Sequence, residues 1–424
     1  MRNKRYLPRI IDSMVQNHLK TFGAVCIEGP KWCGKTWTAT AHCQSKILLG
    51  DPSGNFQNRS LAKIEPRLVL KGDSPRLVDE WQEVPELWDA VRFEVDERGA
   101  KGQFIMTGSA TPPQKGILHS GAGRISTLKM RPMSLYESHN STGQISLEDL
   151  CSEDFKTALV EDVSLERLIQ FIIRGGWPAT LDIEKSEYYL IAKSYLNAIV
   201  NHDIFRLEGI NRNTKKMNQL LKSLARNEST TASINTLRKD IQEKDVKTID
   251  HDTISEYLTL FERMFLIENQ KPFTSNIRSS TRIKQQEKRH FVDPSLACAL
   301  LDASAEILIN DLNTLGFLFE ALCERDLRIY ADSFNANLYH YQDYSNNEID
   351  AVIELNNGDW VAIEIKLGAN QIEEAAKSLN KIKNKILQDG GKAPKVLCVI
   401  CGICNAAYLR DDGVYVVPIT ALKN

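Results

Sequence analysis

The chain is most constrained where Gly29-Pro30-Lys31-Trp32-Cys33-Gly34-Lys35-Thr36 follows the apolar run Ala24-Val25-Cys26-Ile27. The four apolar residues read as a buried strand and residues 37–43 as the helix that follows. A G-x-x-x-x-G-K-T segment in that context forms a loop whose backbone N–H groups converge at the positive end of a helix. Such a spot binds phosphate. Residues Gly29, Pro30, Lys31, Trp32, Cys33 and Gly34 would cradle ATP, with Lys35 on the β- and γ-oxygens and the Thr36 hydroxyl in the Mg²⁺ shell.

A second segment fits the first. Arg76-Leu77-Val78-Asp79-Glu80 sets two carboxylates directly after a short apolar run, as a Walker B strand does. Asp79 would hold Mg²⁺, and Glu80 would orient or deprotonate the attacking water, a division of labour that ATP hydrolysis requires. Phe104-Ile105-Met106-Thr107-Gly108-Ser109 reads as another buried strand ending in hydroxyls, so Thr107 and Ser109 are candidates to sense the γ-phosphate or the water. Arg124, after the flexible Gly121-Ala122-Gly123, is a candidate finger on developing negative charge, in cis or across a subunit boundary of a homo-oligomer.

These segments, with Leu77 to Gln82, Met106 to Thr111 and Met130-Arg131-Pro132-Met133-Ser134, resemble the prokaryotic AAA-type ATPases (AAA_14 type) that carry a C-terminal domain of unknown function, DUF4143. Gly175-Gly176-Trp177-Pro178 and Lys288-Arg289-His290-Phe291-Val292-Asp293-Pro294 extend the likeness over nearly the whole chain. The resemblance implies a P-loop fold and ATP use.

At 424 residues the chain exceeds one compact core. Three domains are expected: a P-loop ATPase domain over residues 1–145, a helical middle domain with a winged helix over 146–305, and a nuclease-like domain over 306–424. The fold class is therefore α/β multidomain, with a parallel ATPase sheet and a restriction-endonuclease-like α/β C-terminal domain. Residues 137–147, rich in Ser, Asn, Thr and Gly, read as a linker. In the middle domain, residues 234–241 and 253–264 read as helices followed by a wing strand at 265–267. Arg206, Arg212, Lys215, Lys216, Lys222, Arg226, Arg278, Arg282, Lys284, Lys288 and Arg289 would form its phosphate-tracking surface.

Net charge is −2, so any surface for duplex or branched DNA must be local. The most apolar stretch, 396–404, is about half of what spans a bilayer, so a membrane protein is not expected. The nine cysteines are scattered and odd in number, as in a reducing cytoplasm.

Near the end, Asn347-Glu348-Ile349-Asp350-Ala351-Val352-Ile353 and Val361-Ala362-Ile363-Glu364-Ile365-Lys366 flank Asn356-Asn357-Gly358. A three-residue loop there sets Leu355 opposite Asp359 and Asp350 opposite Glu364, with the apolar residues paired. Asp350, Glu364 and Lys366 then share one face. Two carboxylates so placed would hold Mg²⁺, or Mn²⁺, over a phosphodiester. The spacing resembles the D…E-x-K signature of the PD-(D/E)xK nuclease superfamily, and that resemblance gives Glu320 as an extra acidic ligand. It also implies an α-β-β-β-α-β order. The whole reads as an ATPase acting on DNA, with ATP state controlling a nuclease end. The alternative is a nucleotide-dependent switch or DNA-binding regulator whose nuclease-like domain only recognises a protein or DNA partner.

Overall fold

The computed structural model describes residues 6–110, 117–204, 213–241, 249–276 and 285–424. Arg206, Arg212, Arg278, Arg282 and Lys284 lie outside the described residues. The described chain forms two compact units, one drawn from Met1–Pro132, Asp203–Asn211 and Leu260–Leu266, the other from Met133–His202, Arg212–Thr259 and Ile267–Asn424.

The first unit is built on five parallel strands, β1 (Ala24–Glu28), β2 (Ser45–Leu48), β3 (Arg76–Asp79), β4 (Phe104–Gly108) and β5 (Ile125–Lys129), in the order β2-β3-β4-β1-β5. Strands covered on both faces read as continuous apolar runs, and β1 and β4 do. Alternation then sorts them. Ala24, Cys26, Phe104 and Met106 pack with Trp81, Trp88, Val91 and Val95. Val25, Ile27 and Ile105 pack with Ile11, Val15 and Ala39 on the other side. Each large apolar side chain so buried stabilises the fold by about 1.5–3 kcal/mol. The loop after β1 needs glycine at its first position, because a Cβ on Gly29 would lie 2.0 Å from the Met130 carbonyl oxygen.

In the second unit β6 (Ile145–Ser146) pairs in parallel with β16 (Leu422–Lys423). A nine-stranded mixed sheet holds β7 (Ala158–Leu159), β8 (Ile267–Pro272), β9 (Lys288–Phe291), β10 (Asn337–Gln342), β11 (Glu348–Glu354), β12 (Trp360–Gly368), β13 (Val396–Ile403), β14 (Ala406–Leu409) and β15 (Val414–Pro418). The helix Leu312–Ser333 precedes β10, and Ile372–Gln388 joins β12 to β13, which gives the expected α-β-β-β-α-β order. The β11–β12 register pairs Ala351 with Ile363 and Ile353 with Val361. Leu355 N–H donates to the Asp359 carbonyl at 2.8 Å, and Gly358 takes φ 77°, so the three-residue loop is the one formed.

Two expectations are corrected. Residues 137–147 are not a free linker: Glu137 and Ser138 are buried, the Ser141 hydroxyl donates to the Leu422 carbonyl at 2.5 Å, and Ile145 enters a strand. Ser138, Asn140 and Ser141 each donate from the side chain to a backbone carbonyl, which ties the polar segment down. The strand after the helix His251–Arg263 does not end as a wing of its own, since β8 pairs with β9 and, in parallel, with β10 as part of the large sheet.

The motifs at 175–178 and 288–294 meet in this unit. Asp293 accepts from the Gly176 N–H at 2.8 Å and pairs with Arg325 at 2.8 Å, and Arg325 pairs with Asp326 at 2.7 Å. Asp326 in turn accepts from the Leu135 N–H at 2.9 Å. All three charged residues are buried. Removing the cation would strand two carboxylates, at a cost of about 3–5 kcal/mol. Arg325→Met should therefore lose stability of that order in urea unfolding of the full chain, whereas exposed Lys377→Met should change it by less than about 0.5 kcal/mol.

Candidate ATP site and a buried acidic cluster

The helix Lys35–His42 begins inside the loop, with Gly34 in the left-handed region at φ 107°. Lys35 is buried, and its Nζ donates to the carbonyls of Gly29 at 2.9 Å and Pro30 at 2.8 Å. A phosphate would compete for those same protons. Arg9 braces the loop from outside the motif, donating to the carbonyls of Cys33 at 2.7 Å and Arg131 at 2.9 Å. Lys31 pairs with Asp203 at 2.6 Å, Cys33 is buried, and Trp32 is 57% exposed.

Strand order brings the acidic pair to this loop. The Thr36 and Thr107 hydroxyls both donate to Asp79 Oδ1, at 2.8 and 2.7 Å. Burial raises the Asp79 carboxyl above the usual range, although the two hydroxyl bonds oppose the shift. Thr107 also accepts from the Glu80 N–H at 3.0 Å, and Ser109 donates to Glu80 Oε2 at 2.9 Å. Thr107 and Ser109 thus grip the two carboxylates. A hydroxyl and a carboxylate oxygen side by side next to a phosphate loop are hard donors that fit Mg²⁺.

Arg124 is placed elsewhere. Its carbonyl accepts from the Ala24 N–H at 3.0 Å, where β1 begins, and its Nε donates to Asp96 at 2.9 Å. The loop leaves the other end of β1, about 13 Å on at ordinary strand rise, so within one chain the structure does not bring Arg124 to the loop. Gln82, which the motif reading left without a role, does reach the site: its Nε2 donates to Glu80 Oε2 and, at 3.1 Å, to Ser109 Oγ.

In the second unit, Asp350, Glu364 and Lys366 come together. Lys366 Nζ lies 2.6 Å from Glu364 and 3.4 Å from Asp350, which also accepts the Ile365 N–H at 2.8 Å. Lys288, expected on a DNA-facing surface, is instead buried and pairs with Glu320 and Glu348, both at 2.8 Å. Alternating charge in a short strand did not distinguish a solvated lysine from one that caps a carboxylate cluster. Burial pushes Glu364 up to about 8, helped by the charge of Asp350, and pushes Glu320 up to about 8. Burial also opposes the charge of Asp350, yet Lys366 and Lys288 hold its carboxyl below the usual range.

With a lysine between Asp350 and Glu364, these residues do not fit a divalent ion as arranged. Among the described residues no three His, Cys, Asp or Glu side chains are grouped to hold a metal. Nor is any described helix long and apolar enough to cross a membrane.

Residues 21–139 match the family model of an AAA domain, residues 165–307 a domain of unknown function (DUF8612), and residues 315–422 another (DUF4143). The amino-terminal region is thus similar to AAA domains. An uncharacterised protein of Mycobacterium tuberculosis is 22% identical over 347 residues, covering 81% of this chain and 70% of that protein, and one of Mycobacterium bovis gives the same figures. The Walker-type ATPase PABY2304 of Pyrococcus abyssi is similar at TM-score 0.40 and 14% identity, over 71% of this chain and 97% of that one. AMPPCP-bound DnaA from Aquifex aeolicus follows at TM-score 0.27 and 12% identity, over 60% of this chain and 86% of that one.

The raised carboxyls give a pH signature. A carboxyl lifted from 4.5 to about 8 contributes stability that is full below about pH 4.5 and is lost as pH rises through about 8. The melting temperature of wild type should fall between pH 6 and 9 more than that of Glu364→Gln, which has no proton to lose. Parallel curves would contradict the assignment.

Proposed function

We propose that this chain binds ATP with Mg²⁺ on residues 29–36 and hydrolyses it, with Glu80 as the general base. The observation that carries the reading is the convergence of Thr36 and Thr107 on Asp79, beside a loop lysine that holds its protons ready for phosphate. Thr36 and Asp79 would hold Mg²⁺, which when bound supplies charge neutralisation to the β- and γ-phosphates. Backbone N–H groups of the loop and Lys35 orient the triphosphate. Glu80, fixed by Ser109, takes the proton of a water whose oxygen forms the new bond to the γ-phosphorus. The bond to the β,γ-bridging oxygen breaks, and ADP and phosphate leave.

For the second unit we favour the reading of a nucleotide-dependent switch or DNA-binding regulator whose nuclease-like domain recognises a partner without cutting it. The bridging position of Lys366 between Asp350 and Glu364 favours it over a metal-dependent nuclease, because the ammonium fills the charge that a cation would neutralise. DNA remains the proposed partner.

Three experiments test these readings. Lys35→Ala should weaken ATP binding at least tenfold, about 1.4 kcal/mol. Glu80→Gln should keep binding and lower kcat by about 10²- to 10⁴-fold. Purified wild type should leave linear, branched and single-stranded DNA uncut with Mg²⁺ or Mn²⁺. Cleavage that disappears in Glu364→Ala would restore the nuclease reading.

A further inference from the structure

We propose that Gln82 is a positioning residue for ATP hydrolysis, its amide fixing the Glu80 carboxylate so that one oxygen faces the attacking water. The inference rests on the ATPase reading above. It gives a task to a residue outside both the phosphate loop and the acidic pair.

Glu80 is held in an uncommon conformation, φ 59° and ψ 47°, which a side chain with a Cβ visits only when its surroundings impose it. The Thr107 hydroxyl pins its N–H at 3.0 Å, and the buried Trp81, ring against Trp88 at 4.9 Å, anchors the turn Trp81–Glu83 that follows. The backbone is therefore set. A glutamate still has rotatable side-chain bonds, and a general base must present a lone pair in a defined direction.

Two donors remove that freedom. Ser109 Oγ donates to Glu80 Oε2 at 2.9 Å, Gln82 Nε2 donates to the same oxygen, and Gln82 Nε2 also donates to Ser109 Oγ at 3.1 Å. Three side chains close a triangle with both bonds to the carboxylate on Oε2, so Oε1 is the oxygen that meets the water. The amide can lie only one way round, since its carbonyl end against a carboxylate would repel. At the other end of the amide, Gln82 Oε1 is buried with no hydrogen-bond partner among the described residues. A residue kept for packing alone would be apolar there. An orphaned amide oxygen is tolerated where the amide N–H has a task.

The test uses the full chain. Steady-state ATP hydrolysis with Mg²⁺ and equilibrium binding of a fluorescent ATP analogue are measured for wild type, Gln82→Ala, Gln82→Glu, Glu80→Gln and Gln82→Ala/Glu80→Gln. Expected is a fall of about 10- to 100-fold in kcat for Gln82→Ala, with KM and analogue affinity within about twofold. Gln82→Glu keeps the volume but loses the donor, so it should be at least as slow as Gln82→Ala, and it decides the matter even where the alanine variant folds poorly. The double variant should be no slower than Glu80→Gln alone, because the two residues act as one unit. Wild-type kcat in either Gln82 variant, activity restored by glutamate, or a double variant slower by the full product of the single effects would overturn the proposal. Wild type that binds the analogue yet does not turn ATP over would instead overturn the ATPase reading beneath it.

Discussion

One carboxylate oxygen organises the first unit. Asp79 Oδ1 accepts from Thr36, on the helix that follows the loop, and from Thr107, on β4, while Asp79 itself ends β3. Three elements distant in sequence are tied at one point, and Thr107 passes the constraint on by holding the Glu80 N–H. An acceptor that is half of a buried hydrogen-bond set cannot shift without leaving hydroxyls unpaired. The loop, Asp79 and Glu80 are thereby held in one frame, the preorganisation that the phosphoryl transfer proposed above would depend on.

The second unit uses charge differently. Lys288 and Lys366 sit among Glu320, Glu348, Asp350 and Glu364, and Arg325 sits between Asp293 and Asp326. Buried ion pairs of this kind add little to stability compared with apolar packing, but removing one member is costly. Their effect is to fix which strands and helices meet. Arg325 joins the turn at Gly176 to the helix Leu312–Ser333 through Asp293. The same logic explains why two carboxyls with raised pKa values, Glu320 on the helix Leu312–Ser333 and Glu364 on β12, can persist in the interior: each ammonium serves two acidic groups.

Much of this was legible in the sequence where spacing is local. The strand-loop-helix around residues 24–42, the two carboxylates at the end of β3 and the hydroxyls at the end of β4 each follow from a few consecutive residues. So did the β11–β12 register, because apolar alternation penalises a slip by one. The illegible parts are long-range. Nothing near Lys288 announces Glu320 and Glu348 as partners, so it read as a surface charge. Residues 137–147 read as a linker because their polar side chains bond to backbone that arrives some 280 positions later, at Leu422. Arg124 looked like a finger from its glycine setting, whereas its place in the sheet is decided by β5 pairing with β1 from Ala24 onward. Gln82 stood beside the acidic pair, yet only the fold of the turn Trp81–Glu83 brings its amide to Glu80.

Occupancy of the loop is the point from which every functional statement starts. Isothermal titration calorimetry of the full chain with ATP in Mg²⁺-containing buffer measures it directly. A saturable isotherm with one site per chain, weakened when Thr36 is replaced by alanine and Mg²⁺ is the only divalent ion, is the outcome these contacts require. Absence of binding heat at several temperatures, with the chain folded and Mg²⁺ present, would contradict it.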